Sequence, residues 1–158
     1  MSKINFELQR DKRAWEEYAA QHVQANFLQS YNWGLFHQSL DSYFFPLSIF
    51  LDEKQVGAAM IIKEEAMRGD YFTIAGGPLL DWQHPQIEAI FSEFCEYLRR
   101  LSKQEKAHFV RIRPQADDEP YLRKLFRRNG LRPAPMHLTA DLQEYPIREA
   151  VQVADSRG

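Results

Sequence analysis

The chain has 158 residues, 44% of them hydrophobic and 27% charged, with a net charge of -2. That is enough for one domain with a core of its own and too little for two, and the near balance of charge leaves any polyanion to a local patch. One cysteine, Cys95, excludes an internal disulfide; with no apolar run in Met1 to Arg10 and none of bilayer length elsewhere, the cytoplasm is the expected location.

In chain order, Asp11 to His22 is predicted as a helix, with Asp11 as its cap and Trp15, Tyr18, Ala19 and His22 along one stripe. Ser30 caps a second short helix in which Trp33, Phe36 and Leu40 repeat at helical spacing. Tyr43 to Leu51 reads as a strand whose Pro46 favours an edge or bulged position. Asp52-Glu53-Lys54 is a polar turn, and Gln55 to Ile62 returns as the hairpin partner. Tyr71 to Ala75 is a third strand, stopped by Gly76-Gly77-Pro78. A helix with Pro85 in its first turn runs to about Gln104, burying Ile87, Ile90, Phe91, Phe94, Leu98 and Leu101.

His108 to Arg113 is the next strand. Asp117 or Asp118 then caps a helix with Pro120 in its first turn, Leu122, Leu125 and Phe126 inward, and Gly130 as a left-handed stop. His137 to Leu142 is a last candidate strand. The order predicts a mixed α/β layer in which a hairpin-built sheet, flanked by helices, gains strands through helical crossovers. Many N-acetyltransferases share this grammar, and a fold alone assigns no function. Residues 1–142 form the predicted lobe and 143–158 a weakly structured tail.

Candidate chemistry is sparse. Arg111 and Arg113 are two apart on a strand, so they project from one face, where two guanidinium forks can hold a diphosphate or carboxylate. On the residues alone, a solvated face, or pairing with Asp117, Asp118 or Glu119, is the favoured explanation. Gly76-Gly77-Pro78 follows a strand and can expose backbone N–H groups to an anion, but no complete phosphate-loop pattern surrounds it. An [RQ]-x-x-G-x-[GA] pyrophosphate loop for acetyl-CoA is also missing. The five histidines lack zinc-site spacing, so no metal is expected. Cys95, four residues after Phe91, reads as a buried small hydrophobe. Trp33 reads as core and His37 as a surface residue, while Glu64 and Glu65 have no spacing that demands acid–base work.

Four segments carry a resemblance. FLQSYNWGLFHQSL (Phe27 to Leu40), containing Gln29, Trp33 and His37, resembles the F-x-Q-[ST]-x-x-W entry helix of the Fem family of peptidoglycan-bridge aminoacyltransferases. GGPLLD (Gly76 to Asp81), with Gly77 and Pro78, is similar to that family's [KR]-G-P-[VL]-x-D turn. VRIRP (Val110 to Pro114) is similar to its second-half strand, and NGLRPAPMH (Asn129 to His137) to the exit that follows. The matches run in order over about Asp11 to Leu138.

The resemblance implies a lobe of acyltransferase (GNAT-like) fold. It also implies transfer of an amino acid from aminoacyl-tRNA to the stem-peptide amine of lipid II or its UDP-linked muropeptide precursor. That chemistry calls for a proton acceptor and oxyanion support, with no metal or cofactor and no DNA partner. A lipid-linked acceptor makes peripheral membrane association compatible with the reading. By the same resemblance, Gln29, Trp33, His37, Gly77, Pro78, Arg111 and Arg113 are the expected substrate-binding residues, and no catalytic residue is assigned. Two positions depart from the family pattern. His37 stands where members can place a phosphate-contacting lysine, and Arg113 where some have an aspartate suspected of proton transfer; an arginine cannot act as a base.

The likeness dissolves at about Thr139, before the family's second lobe. A truncated, frameshifted or split gene is the leading expectation, with a second lobe supplied by another chain or a free-standing one-lobe protein behind it. The 158-residue chain alone is expected to lack transferase activity. The alternatives are a one-lobe acyl-CoA N-acyltransferase and a non-catalytic interaction domain that uses its aromatic N-terminal part.

Overall fold

Period-two alternation sets the first strand. In the computed structural model, which describes residues 2–133 and 151–153, Ile4 and Phe6 of β1 (Ile4–Leu8) pack half-buried against the core while Asn5 and Glu7 face out. The opening residues, read from sequence only as lacking a signal segment, thus supply an outer strand. β1 pairs antiparallel with β2 (Tyr43–Leu51), from Ile4↔Leu51 to Leu8↔Leu47. Pro46 lies one residue beyond the last pair, and its carbonyl accepts the Gln9 N–H at 2.7 Å. Its missing N–H therefore points to the side where β1 has ended, so Pro46 stands at a local edge and costs no ladder bond. The irregularity in β2 falls elsewhere, between Ile49 and Phe50.

β2 returns as β3 (Lys54–Glu64) through Asp52 and Glu53, whose φ values of 49° and 69° are the left-handed pair a tight hairpin requires. β4 (Asp70–Ala75) then pairs antiparallel with β3 only from Ile62↔Thr73 to Glu64↔Tyr71. The two-residue β5 (Leu79–Leu80) takes the other end of β3, at Gly57↔Leu80 and Ala58↔Leu79. The Met60 N–H points into the gap between them. Gln29 fills that gap from a single 3-10 turn (Phe27–Gln29). Its Oε1 accepts from Met60 N at 2.8 Å, and its Nε2 donates to Ala75 O at 2.8 Å. One side-chain amide replaces a rung of sheet where β4 leaves β3.

Freed from β3, β4 pairs in parallel with β6 (Ala107–Arg113), from Asp70↔Ala107 to Ala75↔Arg113. The crossover such a pair requires is α3 (Ile87–Gln104), which buries Ile90, Phe91, Phe94, Cys95, Leu98 and Leu101. This helix starts two residues after Pro85, with Gln86 at its cap position. α4 (Pro120–Arg128) has Pro120 in its first turn and Glu119, rather than Asp117 or Asp118, at its cap position. Asp118 instead binds Arg123. Gly130, at φ 81°, provides the left-handed stop. β7 (Leu131–Pro133) and β8 (Val151–Val153) complete the described sheet in the order β1-β2-β3-β4-β6-β8-β7. The strand expected at His137 to Leu142 lies outside the described residues, and β8 falls within the stretch 143–158.

The sheet separates two clusters. α3 and α4 cover one face, over Leu47, Ile49, Ile61, Phe72, Ile74, Val110 and Ile112. On the other face, α1 (Lys12–Ala19) and α2 (Tyr31–Ser39) contribute Trp15, Ala19 and Tyr31 against Phe44, Ala58, Met60 and Ile62. Asp11 and Ser30 cap these helices through Asp11 Oδ1 to Arg13 N at 2.9 Å and Ser30 Oγ to Trp33 N at 3.1 Å.

Gln29→Leu keeps the bulk at this joint but strands a buried donor and a buried acceptor. Urea unfolding is expected to show a loss of about 2–5 kcal/mol; a loss below about 1 kcal/mol would show that the amide is not acting as a rung.

Candidate functional site

Strand parity defines the open face. Phe72, Ile74, Val110 and Ile112 point into the α3 side of the core, so Tyr71, Thr73, Ala75, Phe109, Arg111 and Arg113 point to the other. Thr73 pairs with Ile62, which belongs to the cluster under α1 and α2. The two arginines therefore share the side of the sheet on which α1 and α2 lie. α2 packs over β2 and β3, while Tyr71, Phe109 and Arg111 on β4 and β6 stay half-buried and Arg113 is exposed.

The floor of this face is aromatic. The Tyr71 and Phe109 rings stack at 4.8 Å with 10° between their planes. The Arg111 guanidinium carbon lies 5.8 Å from the Tyr71 centroid and 5.6 Å from that of Phe109. Both distances are within reach of a cation–π attraction. Arg111 Nε is buried and has no hydrogen-bond partner among the described residues. A guanidinium held by two rings, with donor capacity unspent, is built to meet a planar or tetrahedral oxyanion. Tyr71 and Phe109 were not singled out in the sequence. Each is an ordinary outward strand residue until the parallel register places them side by side, and no local pattern encodes that register.

Three expected site residues are interior. Gln29 is 1% exposed, and its amide is spent on the sheet joint. Gly77 and Pro78 are buried in a turn with a cis bond between them. A Cβ at Gly77 would lie 2.5 Å from Gln29 Cδ, and one at Gly76 would lie 2.3 Å from Asn26 Oδ1. Asn26 Nδ2 donates to Gly76 O at 2.9 Å while its Oδ1 accepts from Leu28 N at 3.1 Å. The glycines are therefore small because side chains of this chain occupy the space beside them. They shape the site from below and do not cradle a ligand with that surface.

Trp33 and His37 lie one turn apart on α2, with ring centroids 4.6 Å apart, edge to face. Phe36 stacks on Trp33 at 5.5 Å, and Phe27 meets Trp33 edge-on at 5.2 Å. Phe27, Phe36 and Leu40 are exposed, while Trp33 is half-buried and packs against the cluster that holds Trp15, Tyr31 and Met60. The amphipathic spacing Trp33-Phe36-Leu40 reads as burial in sequence, but the face turned to the sheet carries Tyr31 and Gly34. Gly34 is there because a Cβ would meet the Phe44 ring at 2.5 Å.

Burial governs several of the titratable groups among the described residues. The Gln24 N–H donates to His22 Nδ1 at 3.0 Å, and burial lowers the His22 pKa against a smaller upward pull from Asp81. The neutral ring thus carries its proton on Nε2 and is a donor. The Tyr18 phenol, pushed up to about 12 by burial and then by Asp81, keeps its proton. Cys95 is buried, and burial pushes its thiol up to about 12 despite Arg99. Among the described residues no group of His, Cys, Asp and Glu could hold a metal ion, and no helix is long and apolar enough to cross a membrane.

The sequence profile of the FemAB family matches residues 11–124. Comparison with curated protein sequences gives no match. Among solved structures, FemX is similar at a TM-score of 0.71 with 14% identity, over 82% of this chain and 32% of that one. This chain thus spans about a third of the FemX chain. An acetyltransferase of the GNAT family from Staphylococcus aureus Mu50 is similar at 0.64 with 12% identity, over 98% of this chain and 99% of that one. The Bacillus subtilis acetyltransferase solved in complex with CoA is similar at 0.59 with 11% identity, over 95% and 96%. At these identities the structures establish the acyltransferase-like fold.

Gly77→Ala is expected to cost about 1–3 kcal/mol in urea unfolding, and less when combined with Gln29→Ala, because the two side chains compete for one space. At pH 8 native Cys95 should resist a disulfide thiol reagent that modifies it at once in denaturant; rapid labelling of the folded chain would contradict its burial.

Proposed function

The chain belongs to the FemAB family, and we propose that its open sheet face binds the phosphate-bearing precursor of peptidoglycan cross-bridge synthesis. The precursor is lipid II or its UDP-linked muropeptide form, whose stem-peptide amine receives an amino acid from aminoacyl-tRNA. The observation that carries this reading is Arg111: a ring-supported guanidinium whose buried Nε has no partner among the described residues, on the same side of the sheet as α1 and α2 but on β6, where α2 does not pack. Arg113 extends the positive face toward the strand end, and Trp33 and His37 offer an aromatic surface on the same side.

In this reading the chain contributes precursor binding more than proton transfer. Attack of an amine on an ester carbonyl needs a proton acceptor. Arg113 cannot be one, and His22 presents a donor. The acceptor and the tRNA contacts then come from a second lobe, in the same or another polypeptide. Much of the acceleration would arise from holding two large substrates in register. Such a reaction belongs in the cytoplasm, at the membrane surface when the acceptor is lipid-linked.

Calorimetry with a UDP-linked muropeptide tests this directly. Saturable binding is expected, weakened about ten-fold or more by Arg111→Ala, since hydrogen bonds to a charged group contribute about 1.5–3 kcal/mol, and partly restored by Arg111→Lys. Binding indifferent to Arg111→Ala would overturn the reading, as would acetyl-CoA binding with none of the muropeptide.

A further inference from the structure

One stretch of this chain is free of full charges. From Tyr18 to Leu40 there is no Asp, Glu, Lys or Arg, although these four types make up 27% of the sequence. The stretch is not all interior. Phe27 is 64% exposed, Leu40 60% and Phe36 50%, and Leu35 is exposed as well. Leu35 and Phe36 belong to α2, Leu40 is its C-cap, and Phe27 stands on the 3-10 turn before it. The rings are continuous, because half-buried Trp33 meets Phe27 at 5.2 Å and Phe36 at 5.5 Å. Leu40 follows Phe36 by four residues, one helical turn further along the same face. Depletion of charge with enrichment in aromatic rings is the composition of an interface core.

The charge pattern says what covers this face. A charged partner surface would lose its hydration here and find no opposite charge. An anionic bilayer draws proteins in through clusters of Lys and Arg, which the stretch lacks. A second copy of this chain brings the same rings, and a two-fold contact sets the patch against itself without opposing like charges. The rim agrees with that arrangement. Lys12 Nζ donates to Asn32 Oδ1 at 2.7 Å near the start of α2, and Asp41 follows directly on the C-cap at its other end. Where two α2 helices cross antiparallel about Phe36, Lys12 of each copy comes to the end at which the other carries Asp41.

We propose that α2 and the turn before it form a two-fold contact between two copies of this chain, centred on Phe36 and Leu40. At about 150–250 Å² for a buried ring, the exposed shares of Phe27 and Phe36 amount to roughly 200 Å² per copy. Leu35, Leu40 and the polar residues beside them add to this, against about 800 Å² per partner in an interface of standard size. The contact is therefore small, and the dimer is reversible and concentration-dependent. Arg111 lies on β6, whereas α2 packs on β2 and β3, so the inference stands apart from the precursor reading.

Sedimentation velocity of the full chain, from dilute to concentrated solution, is expected to show monomer passing to dimer. Over the same range the Trp33 indole N–H resonance should move. That of Trp15, which donates to Gln29 O at 2.9 Å inside the molecule, should stay still. Phe36→Lys sets two like charges against each other and should weaken the dimer about ten-fold or more, because buried aromatic anchors carry most of an interface. Ala89→Lys, at an exposed position of α3 across the sheet, should leave it unchanged. Native Trp15 shifts in both variants establish that they fold. A chain monomeric at every concentration, a dimer indifferent to Phe36→Lys, or a dimer that leaves Trp33 unmoved would overturn the proposal. So would a chain that stays monomeric and binds phosphatidylcholine–phosphatidylglycerol vesicles through Phe36, which would assign the face to lipid.

Discussion

The molecule turns on one side-chain amide. Gln29 takes the Met60 N–H of β3 and gives its own N–H to Ala75 at the end of β4. Without such a group, β4 could leave β3 only by abandoning buried backbone to no partner, which few folded proteins tolerate. With it, β4 is free to pair with β6, and Arg111 and Arg113 come to lie beside Thr73 and Ala75. The same residue anchors the helices, since its carbonyl accepts the Trp15 indole N–H of α1 at 2.9 Å. It also fixes the composition of the turn after β4, because Gly77 leaves the space its amide fills. Gln29 is thus a structural joint that sets where β4 leaves β3.

From this joint two surfaces of opposite character follow. One is the half-buried arginine on an aromatic floor, where low exposure strengthens an interaction with an anion and stacked rings hold the guanidinium without neutralising it. The other is a cleft around Asp81, Asp117 and Glu119, with no lining cation. Asp117 and Glu119 lie on the exit loop of the strand that carries the arginines, and Asp81 on the β5–α3 connection.

Much of the architecture was legible because its signals are local. Asp11 and Ser30 announced their helices, the β2–β3 hairpin announced its turn, and Gly130 marked a helix end. Arg111 and Arg113 were placed on one face by strand periodicity alone. What escaped was whatever depends on register or on contact between distant segments. β1 alternates over only five residues, too short a run to stand out until its pairing with β2 identifies it. Pro46 signals an edge or a bulge in sequence, and only the end of β1 beside it shows that it is an edge. The Tyr71–Phe109 stack needs the parallel offset of β4 and β6. The interior position of Gln29, Gly77 and Pro78 could not be read from motifs that equally suit a ligand loop. Phe36 and Leu40 mislead in the other direction, because helical spacing shows that a face is apolar but not whether anything covers it.

The central claim is that the Arg111 guanidinium is a phosphate receptor. The most direct measurement is the Nε–H resonance of Arg111 in a titration with inorganic pyrophosphate at low salt. A saturable shift of that signal, larger than those of the exposed Arg127 and Arg128 and lost as salt is raised, is the predicted result. A response confined to the exposed arginines, with Arg111 unmoved, would contradict the account.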